Sequence, residues 1–422
     1  MPITLADIEA ARATIARDIR LTPAWHSVTF TDLLGVEVFL KCEQMQRTGS
    51  FKIRGAANFV ASLEPADRAR GLIAASAGNH AQGVALAAHS RGVDVTVVIP
   101  TDAPLAKANA TRSYGARVVL HGDGIDAARD RALEIARIES RIYVPPFDDD
   151  RIIAGQGTVA LEILEQLPEV EEIIVPAGGG GLLAGVALAV KSIAPHVRVI
   201  GVQTAAVDGL RRAFSSSSFP PPVLPRARTL ADGAAVPSPS QRTFDLISRH
   251  VDDILVVDED AIATAIVMLL ERSKMIVEGA GALGVAALLA GVHRPRGRTA
   301  VVLSGGNIDI NLLGSIVRHG LVQAGRYQHL TVEVSDTPGQ LAMITTAIAD
   351  AGGNVLGVDH NREAPGMPVG VAVVDLLLEV NGPDHFERVI QVLRSRGLRG
   401  SPGIRARLQT EGARLSHPRS NP

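Results

Sequence analysis

A single cysteine, Cys42, stands in a chain of 422 residues. An intrachain disulfide is therefore excluded, and so is a metal site built from clustered cysteines. Cys42 ends the apolar run Val38-Phe39-Leu40-Lys41-Cys42 and is expected to be a buried spectator. Aromatic residues make up only 3% of the sequence, too few to build stacking platforms for single-stranded nucleic acid. Neither sign of charge prevails. The 42 Lys and Arg face 44 Asp and Glu, a formal net of −2, so there is no electrostatic pull toward nucleic acid or an anionic membrane. Long apolar runs are also missing. The longest uncharged stretch, Ile173 to Val190, is broken by Pro176 and four glycines, and reads as strand, loop and helix rather than a membrane span. No basic segment followed by an apolar run opens the chain, so we expect no export signal and a cytoplasmic location. With no His-x-x-x-His pair on a helix, no transition-metal site is expected.

What the sequence does contain is a lysine at a helix start and three glycine-rich loops. Lys52, in Thr48-Gly49-Ser50-Phe51-Lys52-Ile53-Arg54-Gly55-Ala56-Ala57, precedes a helical pattern, with Thr48 and Ser50 available as caps. The positive end of a helix dipole and the neighbouring Arg54 both disfavour an ammonium there. They push Lys52 toward the nucleophilic amine that condenses with an aldehyde. The first loop, Ser76-Ala77-Gly78-Asn79-His80-Ala81-Gln82-Gly83, follows the strand Leu72-Ile73-Ala74-Ala75. The second, Gly178-Gly179-Gly180-Gly181, follows Ile173-Ile174-Val175-Pro176. The third, Ser304-Gly305-Gly306-Asn307, follows Ala300-Val301-Val302-Leu303. Strand, glycine loop and helix start expose unpaired backbone N–H groups, and four residues without Cβ let that backbone wrap a phosphate. The dinucleotide fingerprint Gly-x-Gly-x-x-Gly with its ribose-binding acid is absent from a first strand-to-helix turn.

The length accommodates two to three domains. Up to about residue 320, short strand patterns (Val95 to Ile99, Arg117 to Leu120, Val197 to Val202) alternate with helical ones (Gln156 to Leu167, Ala261 to Arg272). That alternation predicts an α/β fold of parallel-rich sheets with helices on both faces. The run Phe214 to Pro222, rich in Ser and Pro, reads as a loop. Beyond about residue 327 the pattern changes. His329 to Val334 alternates as a strand, and Asp336-Thr337-Pro338-Gly339-Gln340-Leu341 reads as a capped helix start with Pro near its first turn. Two strand patterns (Val355 to His360, Val371 to Val380) and a second helix from Pro383 follow. Residues 411–422 are polar and Pro-ended, and a flexible tail is expected there.

The motifs together resemble the fold-type II pyridoxal-phosphate enzymes, and within them the threonine dehydratases (threonine ammonia-lyases), with serine dehydratase and serine racemase as near relatives. The likeness covers about residues 1 to 320. It rests on Lys41-x-Glu43-x-x-Gln46-x-Thr48-Gly49-Ser50-Phe51-Lys52-x-Arg54-Gly55-Ala56, on Ser76 to Gly83, on Gly178 to Gly181, on Ala231-Asp232-Gly233, on Glu278-Gly279-Ala280 and on Ser304 to Asn307. It implies a catalytic domain over residues 1–325, with a small lobe of about 47–142 inserted in a larger one. Its cofactor would be pyridoxal 5′-phosphate. Lys52 would hold it as an internal aldimine and then act as the base at the substrate Cα. Phe51 would lie beside the pyridine ring, Asn79 would bond its 3′-oxygen, and Gly178, Gly179, Gly180 and Gly181 would hold the phosphate. Ser304 would face the pyridine nitrogen; a neutral hydroxyl there draws fewer electrons than a carboxylate-paired pyridinium and favours loss of a β-hydroxyl. Ser76, Ala77, Gly78, Asn79 and His80 would receive the carboxylate of the amino-acid substrate. The implied reaction is β-eliminating deamination of L-threonine to 2-oxobutanoate and ammonia, with L-serine to pyruvate as a secondary activity. A serine racemase or serine dehydratase, or a non-catalytic amino-acid sensor, is the alternative.

One departure concerns metal. Divalent-cation-dependent relatives carry a Glu where this chain has Gln203, and a lost carboxylate weakens a divalent site, so a monovalent cation or no metal is expected in place of a divalent one. Residues 326–410, with their β-α-β-β-α order and Asp-x-Pro-Gly-x-Leu, resemble an ACT regulatory domain of ferredoxin-like fold. That likeness implies an amino-acid effector, isoleucine or valine if the product feeds branched-chain synthesis, and a homo-oligomer, dimer or tetramer. A module used only for oligomer contacts would show the same pattern.

Overall fold

The computed structural model describes residues 3–216, 219–221, 227–237, 239–362 and 368–403. It divides into two compact units, Met1–Ile310 and Asn311–Pro422. The 411–422 segment and part of the Ser/Pro loop lie outside the described residues.

Two sheets organise the first unit. The larger has six strands in the order Ala24–His26, Val38–Lys41, Thr299–Val302, Glu172–Pro176, Arg198–Thr204 and Asp253–Val257. All neighbours run parallel except the first pair. The smaller sheet is parallel throughout, in the order Arg117–Leu120, Val95–Ile99, Leu72–Ala75 and Ile142–Tyr143. Strands such as Leu72–Ala75 and Thr299–Val302 are buried at every residue, which is why they read as continuous apolar runs rather than alternating ones. Among the described residues no helix is long and apolar enough to cross a membrane.

Three helices set the frame for Lys52. Lys52–Ala61 and Gly181–Ile193 both pack on Asp150–Gln166. The contacts are close because glycines face each other. A Cβ on Gly155 would lie 2.6 Å from the Arg54 carbonyl oxygen and from Gly55 Cα, and one on Gly185 would lie 2.4 Å from the Ile153 carbonyl oxygen. The middle helix begins well before the expected Gln156. Asp149 caps it by accepting from the Arg151 N–H at 2.8 Å. Gly155 and Gly157 weaken the local helical pattern, and tertiary packing overrides that weakness.

Behind this frame lies a buried ionic quartet. Arg54 makes paired bonds to Glu43 (2.8 and 2.8 Å) and to Glu162 (2.7 and 2.9 Å). Lys41 Nζ adds a 2.6 Å bond to Glu162 and a 2.7 Å bond to the Thr22 carbonyl. All four side chains are at most 6% exposed. Burial pushes the Glu43 carboxyl up, but Arg54 and Lys41 more than offset this and hold it below its ordinary value. Two cations against two anions leave no net buried charge, the condition under which such a cluster is tolerated. Cys42, fully buried beside it, has its thiol pushed up to about 11 by desolvation, as suits an inert spectator.

In the second unit, after the helix Ile310–Gln323, four strands form an antiparallel sheet in the order Asn354–Asn361, Val371–Glu379, Tyr327–Ser335 and Arg399–Pro402. Helices Gln340–Asp350 and Pro383–Ser395 bury Ile344, Ile348, Val389 and Leu393 with Leu330, Val332, Val374 and Leu376 of the sheet. The expected capped start at Asp336 is not formed. The helix begins at Gln340, and Gly339 precedes it with φ of +93°. Asp336 instead pairs with Arg362 at 3.1 Å and donates its N–H to the Gly370 carbonyl.

Candidate active site

All three glycine loops and Lys52 line one cavity of about 340 Å³ in the first unit. Each loop follows the carboxyl end of a parallel strand, where α/β sheets place their ligands. The volume is at the small end of what small-ligand pockets offer.

Lys52 is the first residue of its helix, and Phe51 occupies the cap position without a side-chain bond. The expected caps do not act: the hydroxyls of Thr48 and Ser50 are buried and, among the described residues, have no hydrogen-bond partner. What fixes the entry is backbone, since the Phe51 N–H donates to the Ser304 carbonyl at 3.0 Å. The Lys52 amine donates to the Pro146 carbonyl at 2.9 Å and lies 5.2 Å from the Phe51 ring centroid. Burial lowers its pKa from 10.5 to about 8, with Glu278 opposing the shift. Arg54 does not contribute as expected, because its charge is neutralised by Glu43 and Glu162. The amine of cofactor-free protein should therefore gain reactivity through pH 8 rather than near 10.5. Labelling with an amine reagent across pH, read at the Lys52 peptide, checks this; a midpoint like that of surface lysines would contradict it.

Gly178–Gly181 turn from strand to helix beneath Phe147, Ala234 and Thr243. A Cβ on Gly179 would lie 2.5 Å from the Phe147 ring, and Gly180 has φ of +90°, a conformation that favours glycine. Thr243 Oγ1 donates to the Gly179 carbonyl at 2.9 Å. Among the described residues, the N–H groups of Gly178, Gly179 and Gly180 reach no protein acceptor. They fit an anionic group with several oxygens, and the buried amine of Lys52 fits its aldehyde partner. This is the chemistry of pyridoxal phosphate.

Ser304 lines the same cavity and is 3% exposed. Ser76 Oγ accepts from the Gly78 N–H at 3.1 Å, and a Cβ on Gly78 would meet nothing, so this loop opens onto the cavity. His80 differs from expectation. Its imidazole is buried and bonded to the Val144 carbonyl at 2.9 Å, and burial with the Lys52 charge lowers its pKa to about 3. A neutral ring engaged elsewhere offers no cation to the cavity, while the helix Asn79–His89 begins at its wall.

Several lining residues were given no role from sequence: Phe147, Gln156, Lys107, Asp232 and Glu278. Lys107 and Asp232 pair at 2.8 Å. Glu278, quoted only as part of a motif, accepts from Asn79 Nδ2 at 2.6 Å, and burial and Asp232 raise its pKa to about 7. Gln203 is buried and caps a helix: its Oε1 accepts from the Arg211 N–H at 2.8 Å. Among the described residues no three His, Cys, Asp or Glu side chains gather as a metal site.

The family model described as pyridoxal-phosphate dependent enzyme matches residues 15–305. The L-threonine ammonia-lyase of Thermotoga maritima is 45% identical over 399 residues, 94% of this chain and 98% of that protein. Among solved structures, maize serine racemase matches with a TM-score of 0.72 at 34% identity, over 76% of this chain and 99% of that one. A T.th. threonine deaminase matches with a TM-score of 0.69 at 41% identity, over 73% of this chain and 99% of that one.

Proposed function

The chain belongs to the pyridoxal-phosphate dependent enzymes, with a fold-type II core, and on that premise we propose that it deaminates L-threonine to 2-oxobutanoate and ammonia, with L-serine to pyruvate as a secondary reaction. The observation that carries the reading is the meeting, in one cavity, of a buried low-pKa amine, a glycine loop with free N–H groups and a neutral hydroxyl. The identity to an L-threonine ammonia-lyase along nearly the whole chain supports the substrate.

Bound in this site, pyridoxal phosphate supplies the electron sink that weakens the bonds at an amino acid's Cα. The chain supplies the rest. Gly178–Gly181 would hold the phosphate, and Phe51 would flank the ring. Lys52 Nζ would hold the cofactor and, when free, serve as the base for the proton at Cα; its pKa, lowered to about 8, gives an unprotonated fraction that grows as pH rises through 8. Ser304 would offer a neutral hydroxyl to the pyridine nitrogen, an environment that would favour loss of the β-hydroxyl over persistence of charge at Cα. Ser76 to His80 receive the carboxylate through the N–H groups of a helix start. Hydrolysis of the released product restores the water and yields the 2-oxo acid and ammonia.

The likeness to maize serine racemase at 34% identity keeps racemisation as the second reading. The partition of L-serine decides between them. The lyase reading expects pyruvate in large excess over D-serine; D-serine as the main product would overturn it.

The second unit's sheet of four strands and two helices supports the reading as an ACT-type module that binds isoleucine or valine in a homo-oligomer. An effector acts only by binding one state better, with coupling typically about 1–3 kcal/mol. A chain ending at residue 325 should retain deaminase activity and lose any response to those amino acids. A response of unchanged affinity in the truncated, cofactor-loaded protein would place the effector site in the catalytic core.

A further inference from the structure

Glu278 stands at the start of the helix Gly279–Leu289, 4% exposed, with its N–H donating to the Gly305 carbonyl. Its carboxylate is the end of a chain of side chains. Glu278 Oε1 accepts from Asn79 Nδ2 at 2.6 Å, Asn79 Oδ1 accepts from Asn307 Nδ2 at 2.7 Å, and Asn307 Nδ2 also donates to the Thr48 carbonyl at 2.8 Å. Room for the chain comes from glycines: a Cβ on Gly305 would lie 2.2 Å from Glu278 Oε1, and one on Gly49 would lie 2.5 Å from Asn307 Oδ1.

An asparagine amide is nearly symmetric in shape and could present either its oxygen or its NH₂ to a ligand. Here the choice is forced from both ends. The ionised Glu278 carboxylate can only accept, and Asn79 Oδ1 is already engaged by Asn307, so Nδ2 is the atom that meets Glu278. Asn307, tied to a carbonyl, can only donate to Asn79 with the same NH₂, so it draws Oδ1. The second hydrogen on Asn79 Nδ2 is then left for the cavity that Asn79 lines.

We propose that Glu278 is a positioning residue that, against the opposing Asn307, fixes the Asn79 amide as a hydrogen-bond donor toward the cofactor's ring hydroxyl. The proposal rests on the reading of the cavity as a pyridoxal-phosphate site with Asn79 at that hydroxyl. Lys52, Lys107 and Asp232 also face Glu278 electrostatically, but none of them hydrogen-bonds Asn79 among the described residues, so they do not substitute for it.

The test is cofactor binding by the full-length, cofactor-free protein, compared for pyridoxal phosphate and its analogue lacking the ring 3-hydroxyl. Wild type should prefer pyridoxal phosphate by about tenfold, the scale of one hydrogen bond in a desolvated site. In Glu278→Ala the preference should fall below about twofold, because the amide swings on its single remaining tether. Glu278→Gln should keep the preference, since its carbonyl accepts the same bond. A merely structural role would weaken both ligands equally and leave their ratio unchanged. If the alanine variant does not fold, Asn307→Ala, which removes the opposing clamp, carries the same expectation. An unchanged ratio in the alanine variants, or a glutamine variant as poor as alanine, would overturn the proposal while leaving the cofactor site intact. Failure of wild type to bind pyridoxal phosphate would overturn the site and the proposal together.

Discussion

Replacing Lys52 by alanine is expected to lower deaminase turnover by about 10⁴-fold or more and to abolish covalent retention of the cofactor. The amine serves twice, as the attachment point and as the base at Cα, and a positioned base alone contributes about 10²–10⁴-fold. Among the described residues no other lysine is placed to take over. Lys107, which also lines the cavity, is paired with Asp232 at 2.8 Å, and Lys41 is engaged with Glu162 in the buried quartet. Borohydride reduction of the holoenzyme followed by peptide mapping should place the cofactor on Lys52. Label on another lysine, or a Lys52→Ala protein that retains it, would contradict the assignment.

The largest effect on stability is expected from Arg54→Met. The change leaves Glu43 and Glu162 buried with Lys41 as their one remaining cation in the quartet, and Thr22, whose hydroxyl donates to Glu43 at 2.5 Å, as the other tether. Breaking such a cluster costs about 3–5 kcal/mol, a large share of the roughly 5–15 kcal/mol that holds a domain together. Thermal unfolding should shift down by roughly 10 °C. Arg54 stands in the first turn of the helix that begins at Lys52, so cofactor affinity should fall with it. A variant with unchanged unfolding temperature would show that the quartet does not hold this helix in place.

The contrast between these residues shows what the sequence made legible. Lys52 and the three glycine loops were readable because strand, glycine and helix start follow one another locally, and the structure brings all of them to one cavity. The strands Leu72–Ala75, Val95–Ile99 and Arg117–Leu120 were readable to the residue for a similar reason, as short apolar or β-branched runs between turn signals. The quartet was not, because Lys41, Arg54 and Glu162 meet only through the packing of a strand and two helices distant in sequence. Its motif residues stood in plain view with no chemistry attached. Glu278 and Asn307 were hidden in the same way, each quoted within a motif but given a partner only by the fold. Local rules also misled. Thr48 and Ser50 had the composition of caps, yet backbone bonding at Phe51 and Ser304 fixes that helix start. Arg54, so near in sequence, pointed to its charge as a cause of the lysine's lowered pKa, yet the cause is burial. Gly155 and Gly157 masked the start of a helix whose close packing requires them.

The reaction proposed is deamination of L-threonine on pyridoxal phosphate held at Lys52. It is tested most directly by incubating purified holoenzyme with L-threonine and measuring 2-oxobutanoate and ammonia together. Both should appear in equal amounts, be lost when the cofactor is removed and return when pyridoxal phosphate is added back, and vanish with Lys52→Ala. L-Threonine recovered intact, or only as its epimer at Cα, from protein carrying the cofactor on Lys52 would contradict it.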